Sequence, residues 1–141
     1  MAKSILSALL GKAISEGHIK SLDQPINTIP GKAFIYKSGA TQLLGMAMEN
    51  ALDQKLNRYL NKSFWQELGA EKEALWQDDR KKRGTEKFLC CFASNARDFA
   101  HFGKLYKNHG RWNNSQLWDP TFIAKSLRPR FESSPQYGYG W

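Results

Sequence analysis

There is no valine anywhere in this chain of 141 residues. Valine is among the residues that best fit a pleated, half-buried surface, so its absence argues for a mainly helical core. The hydrophobic periodicity agrees. Ile5, Leu6, Leu9, Leu10, Ala13 and Ile14 recur at helical spacing, which predicts a helix over 4–16 with Gly17 at its stop. Leu43, Leu44, Ala47, Met48, Ala51, Leu52, Leu56 and Tyr59 form one continuous stripe, which predicts a second helix over 40–61. A third is predicted over 95–109, capped by Ser94 and stopped by Gly110. The fourth is predicted over 120–127, where Asp119-Pro120 reads as cap plus first-turn proline. Short extended pieces are predicted at 32–36 and 87–92, and the polar stretch 77–87 reads as an exposed loop.

The length suits one domain over 1–141, with no internal repeat, and an apolar share of 41% with 13% aromatics argues against disorder. The net charge of +8 raises nucleic acid as a partner, with Arg80-Lys81-Lys82-Arg83 as a compact basic run and Arg128 and Arg130 flanking Pro129. Trp65, Trp76, Trp112 and Trp118 are, however, scattered along the chain, and no helix-turn-helix, zinc or RNA-binding-sheet signature accompanies them. A solvated loop accounts better for 80–83, and no nucleic acid partner is expected. No run of 18 apolar residues occurs, so no membrane segment is expected. The apolar stretch 5–14 is interrupted by Ser7, Gly11 and Lys12 and does not read as a signal peptide; compartment stays open.

Metal and redox chemistry find little support in the pattern. Cys90 and Cys91 are adjacent, and neighbouring cysteines rarely bond to each other. With Phe88, Leu89 and Phe92 they read as core thiols in a buried apolar run. His18, His101 and His109 match no metal-ligand spacing, so no metal and no cofactor are expected. Arg97 and Asp98 read as a structural ion-pair element.

Catalytic candidates emerge only when several blocks are taken together. The first is Met1-Ala2-Lys3-Ser4 and the helix that follows, through Leu22-Asp23-Gln24-Pro25-Ile26. The second runs from Pro30 to Gly45 and contains Tyr36-Lys37-Ser38-Gly39. The third, Ala93 to Gly110, contains Arg97-Asp98-Phe99-Ala100 and Phe102-Gly103, and the chain closes on Tyr137-Gly138-Tyr139-Gly140-Trp141. In this order the blocks resemble the class C β-lactamase-related serine hydrolases and penicillin-binding proteins, most nearly the 6-aminohexanoate-dimer hydrolases and esterases. The resemblance implies an α/β (α+β) β-lactamase/transpeptidase-like fold, of which this segment would be a mainly α-helical part with short strands.

It also implies roles. The nucleophile box of such enzymes reads Ser-x-x-Lys, because residues three apart share a helix face and a lysine held in a dry site can serve as base to the serine hydroxyl. Lys3 would be its lysine, with the serine immediately before Met1; no serine within the chain has a lysine three residues on. Tyr36 would be the tyrosine beside the nucleophile, Ser38 would hydrogen-bond within the site, and Trp141 would line the substrate pocket. Each has a plainer reading: a solvated lysine, a tyrosine ending a strand, a turn serine and a core aromatic. The implied reaction is cleavage of a small amide, ester or lactam through an acyl-enzyme.

The departures from that pattern are equally specific. The third box, Lys-Thr-Gly or His-x-Gly, would fall after Trp141. Between Pro25 and Pro30, near 26–30, the chain passes almost directly from the first block to the second, as if internally shortened. The segment is therefore expected to be inactive alone. A non-catalytic binding module on the same scaffold is the alternative, and neither substrate nor oligomeric state can be read.

Overall fold

The structure, a computed structural model, describes residues 2–19, 36–82 and 84–140. The predicted extended piece before Tyr36, the shortened junction at 26–30, Arg83 and Trp141 lie outside these residues.

Helix α1 (Ala2–Ser15) is buried along most of its length, with Ile5, Ala8 and Leu9 fully enclosed. It ends as Gly17 predicts. At φ +78° that glycine turns the chain left-handed, and the amides of Gly17 and His18 donate to the carbonyls of Ile14 and Ala13. Gly11 is needed for a different reason. A β-carbon there would collide with the ring of Phe122, so the glycine lets α1 seat against α5 (Pro120–Leu127).

The single helix predicted over 40–61 is broken into α2 (Ser38–Leu52) and α3 (Leu56–Leu60). Asp53 adopts φ +49° and Lys55 is extended. Two carboxylates make the break worthwhile by capping the new helix start. Glu49 accepts the Leu56 amide at 3.2 Å, and Glu86 accepts the Asn57 amide at 3.2 Å and 3.4 Å through its two oxygens. Both helices face the same core, so the apolar stripe runs across the break and conceals it. A π-helical turn (Asn61–Trp65) then delivers Phe64 and Trp65 to the interior.

Strands among the described residues are minimal, in line with the missing valine. β1 (Leu75–Trp76) pairs antiparallel with β2 (Phe92–Ala93), Trp76 opposite Phe92. Asn57 and Asn61 anchor the approach to β1: the Asn61 amide both donates to and accepts from the Ala74 backbone, and Asn57 Oδ1 accepts the Trp76 amide. β3 (Arg111–Trp112) and β4 (Ser115–Gln116) form a hairpin. Its turn residues Asn113 and Asn114 sit at φ +43° and +68°, the sign a two-residue I′ turn requires.

Helix α4 (Ala96–Lys107) is capped by Asn95, whose side chain accepts the Asp98 amide at 2.8 Å. Ser94 was the expected cap; its hydroxyl instead donates to Asp98. Nor do Arg97 and Asp98 form one ion pair. Arg97 pairs with Glu71, while buried Asp98 accepts the amides of Glu71 at 2.9 Å and Lys72 at 3.2 Å. Burial pushes the Asp98 carboxyl up, but these amides, Ser94 and His101 outweigh it and hold the group below its ordinary range.

The tryptophans that look scattered in sequence converge. Trp65, Trp76 and Trp118 are buried, with Phe64 and Trp118 rings 4.5 Å apart and Trp76 and Phe92 rings 4.8 Å apart. Residues 77–82 are exposed, as expected of a polar loop, but Glu86 and the cysteine pair depart from expectation. Glu86 is only 3% exposed, because its carboxylate turns inward to cap α3. Cys90 and Cys91 are bonded to each other, Cys90 half-buried and Cys91 exposed, in a turn rather than a buried strand. The reversal after Phe88 places Cys91 at φ +63° and turns the pair outward. Among the described residues, no helix is long and apolar enough to cross a membrane.

Candidate active site

Lys3 lies in the first turn of α1, and Tyr36 and Lys37 lead into α2 at Ser38. The packing of α1 on α2 brings these two starts together. The Lys3 ammonium stands 3.6 Å from the centre of the Tyr36 ring and 3.5 Å from Ser38 Oγ. Tyr36 is 55% exposed and meets the ring of Tyr137 edge-on at 5.9 Å. Hydrogen bonding from Lys3 lowers the Tyr36 phenol from its ordinary range; desolvation opposes this, and the Lys3 charge and the Tyr137 hydroxyl reinforce it. Tyr137 moves the other way, raised by desolvation and by its neighbour.

The segment Tyr137–Gly140 is threaded between two helices and fixes this corner. The Tyr139 amide donates to Ser126 of α5 at 2.9 Å, and Ser4 of α1 donates to the Gly140 carbonyl at 2.8 Å. The alternating glycines allow that approach. A β-carbon at Gly138 would collide with the Ser126 carbonyl, and one at Gly140 would meet Lys3 backbone atoms at 3.0 Å.

A cleft of about 950 Å³ opens from this corner, with Leu6, Leu10 and Leu44 on its apolar wall. Among the described residues its charged lining is mostly cationic: Lys3, Lys37, Lys125, Arg128 and Arg130, against the acid Asp119. Three of the four residues singled out from sequence, Lys3, Tyr36 and Ser38, thus meet at one point; Trp141 lies outside the described residues. Tyr137 was missed as a site residue. Its signal was the Tyr-Gly-Tyr-Gly ending, where the glycines mark a close backbone approach.

No protein-family model matches the sequence, and no curated protein matches it at a significant level. Solved structures do. The chain superposes with a TM-score of 0.61 on the crystal structure of a protein designated a β-lactamase from Bacteroides dorei DSM 17855, at 19% identity over 86% of this chain. It superposes with a TM-score of 0.55 on a penicillin-binding protein from Bacillus halodurans, at 20% identity over 84%. Its fold is that of the β-lactamases and penicillin-binding proteins. The chain spans 35% and 42% of those two structures, so what it presents is a helical portion of the scaffold. Within that β-lactamase-type portion, the corner formed by Lys3, Tyr36 and Ser38 is the place where ammonium, phenol and hydroxyl converge on a cleft.

Proposed function

We propose that this segment supplies the lysine–tyrosine half of a serine acyl-hydrolase site, acting on a small amide, ester or lactam. The observation that carries the proposal is the position of the Lys3 ammonium between the Tyr36 ring and Ser38 Oγ, one helical turn after the place where the nucleophile would stand. A serine directly before Met1 would precede Lys3 by three residues. Its oxygen would attack the substrate carbonyl while Lys3 and Tyr36 accept its proton and return it to the leaving amine or alcohol. Water would then cleave the acyl ester. Tyr36, held below the usual phenol range, is the better matched of two tyrosines to share that proton, since Tyr137 is shifted upward. Ser38 would hold the ammonium in place. The resemblance of the ordered blocks to 6-aminohexanoate-dimer hydrolases and esterases makes short amide oligomers and simple esters the first substrates to try.

The test is hydrolysis of a chromogenic lactam, p-nitrophenyl esters and short amide oligomers by a protein that carries this segment with a serine directly before Met1. Lys3→Ala and Tyr36→Phe should each lower turnover by about 100-fold or more. An acyl adduct on the serine should accumulate in intact mass spectra. Near-normal turnover in both variants would remove the mechanism. Ligand binding in the cleft with no acyl adduct would favour the non-catalytic binding module.

A further inference from the structure

We propose that Cys90 and Cys91 form a thiol–disulfide exchange site that opens onto the Lys3–Tyr36 corner, with a small dithiol reductant as its partner. The argument begins with what this disulfide does not do. A disulfide stabilises a fold mainly by closing a loop in the unfolded chain, and the benefit grows with loop length. Cys90 and Cys91 are consecutive, so the loop is the smallest a chain can close. The surrounding turn is also secured without the sulfurs: the Cys90 amide donates to the Lys87 carbonyl at 3.1 Å, and the Cys91 carbonyl accepts the Gln77 amide at 3.1 Å. A structural staple is therefore redundant here.

The second strand of the argument is access. Structural disulfides are enclosed, whereas exposed ones exchange readily with external thiols. Cys91 is exposed, and both cysteines line a small pocket of about 320 Å³ together with Lys3, Tyr36 and Tyr137. A reductant entering that pocket meets the disulfide in a lining that also includes Lys3. A neighbouring cation favours thiolate, the form that leaves when the disulfide is attacked and that attacks when it re-forms. The turn is tied to the fold beneath it. Phe88, three residues before Cys91, is fully buried beside the Gly45 position of α2 and 5.5 Å from the Trp76 ring. The pair thus sits on a fixed base, which lets it open and close without unfolding its surroundings.

The exchange balances simply. The protein S–S bond breaks, the external dithiol is oxidised to its own cyclic disulfide, and its two hydrogens end on Cys90 and Cys91. The resulting adjacent dithiol would also capture a trivalent arsenical. Phenylarsine oxide forms two As–S bonds and releases one water, which makes it a specific probe for the opened pair.

The experiment equilibrates the protein across graded ratios of oxidised to reduced dithiothreitol, quenches with iodoacetamide and weighs the intact chain. Two carbamidomethyl groups should appear together in one step while tryptophan fluorescence stays native. Reduced protein should then bind one phenylarsine oxide per chain, and Cys90→Ser and Cys91→Ser should each abolish both behaviours. In the reduced protein, Lys3→Gln should slow alkylation severalfold at neutral pH. Two thiols persisting at every ratio, independent modification of the two cysteines, or loss of the native signal on reduction would overturn the proposal. An unchanged alkylation rate in Lys3→Gln would overturn its connection to the Lys3–Tyr36 corner. None of these readouts depends on hydrolase activity.

Discussion

Removing the ammonium beside Tyr36 should return that phenol toward the ordinary tyrosine range. Lys3 is the principal cause of the shift, so Lys3→Ala should move the lowest tyrosine titration upward in an ultraviolet pH titration, and a curve superimposable on the parent would contradict the geometry. Glu86 offers a test of opposite chemistry. Burial, aided by the charge of Glu49 and opposed by the Asn57 amide, raises its carboxyl from 4.5 to about 7. Between those values the folded chain keeps a proton that the unfolded chain has released. This contribution to stability is therefore complete below about 4.5 and lost as pH rises through about 7. Glu86→Gln keeps an oxygen acceptor for the Asn57 amide and should flatten that decline. Urea midpoints at pH 5 and pH 8 would show it, and an unaltered slope would mean that Glu86 is not its source. The sequence marked 77–87 as a polar loop, and nothing in its residue types said that one of its carboxylates turns inward. That Lys3, Tyr36 and Ser38 lie near one another was suggested by blocks that resemble a known family; Tyr137 and the cysteine pair depend on which turns face the same corner, which spacing along the chain does not encode.

At the level of elements, glycine position separates propensity from packing. Gly103 lies within α4 with open space at its β-carbon position, so Gly103→Ala should add about 1 kcal/mol of stability through helix propensity. Gly45 lies within α2, but a β-carbon there collides with the Phe88 ring. Gly45→Ala should cost about 1–3 kcal/mol despite the same propensity gain. Chemical denaturation of both variants checks the contrast, and equal effects would mean that α2 does not rest on Phe88. The helices themselves were readable because a buried stripe repeats every three or four residues. The break at Asp53–Lys55 was not, since two helices facing one core preserve the stripe across it. The capping role of Asn95 was similarly hidden beside an equally plausible Ser94; only the Asp98 amide contact decides between them.

For the whole molecule, one aromatic cluster receives rings from the π-helical turn, β1, β2, α4 and the chain just before α5. Because Phe64, Phe102 and Trp118 share contacts, no helix among them can leave without exposing the others. Unfolding of the segment should therefore be a single transition, with far-ultraviolet circular dichroism and tryptophan fluorescence coincident. Separate transitions would show that α1 and the cleft corner melt independently of the aromatic cluster. The scattered tryptophans gave no hint of this in sequence, because ring convergence is set by the helix break and the π-helical turn. The fold class was legible from ordered motif blocks and missing valine, while the extent of the scaffold emerged only from superposition on structures of which this chain spans about two-fifths or less.

The Ser4–Gly140 hydrogen bond joins residues separated by 136 positions, so the path between them is that of a closed ring with its clasp at the Lys3–Tyr36 corner. Tension applied between those two points would load the clasp before it reached the aromatic core. Such tension acts first on the residues that set the position of Lys3, which makes the corner a mechanical junction of the fold.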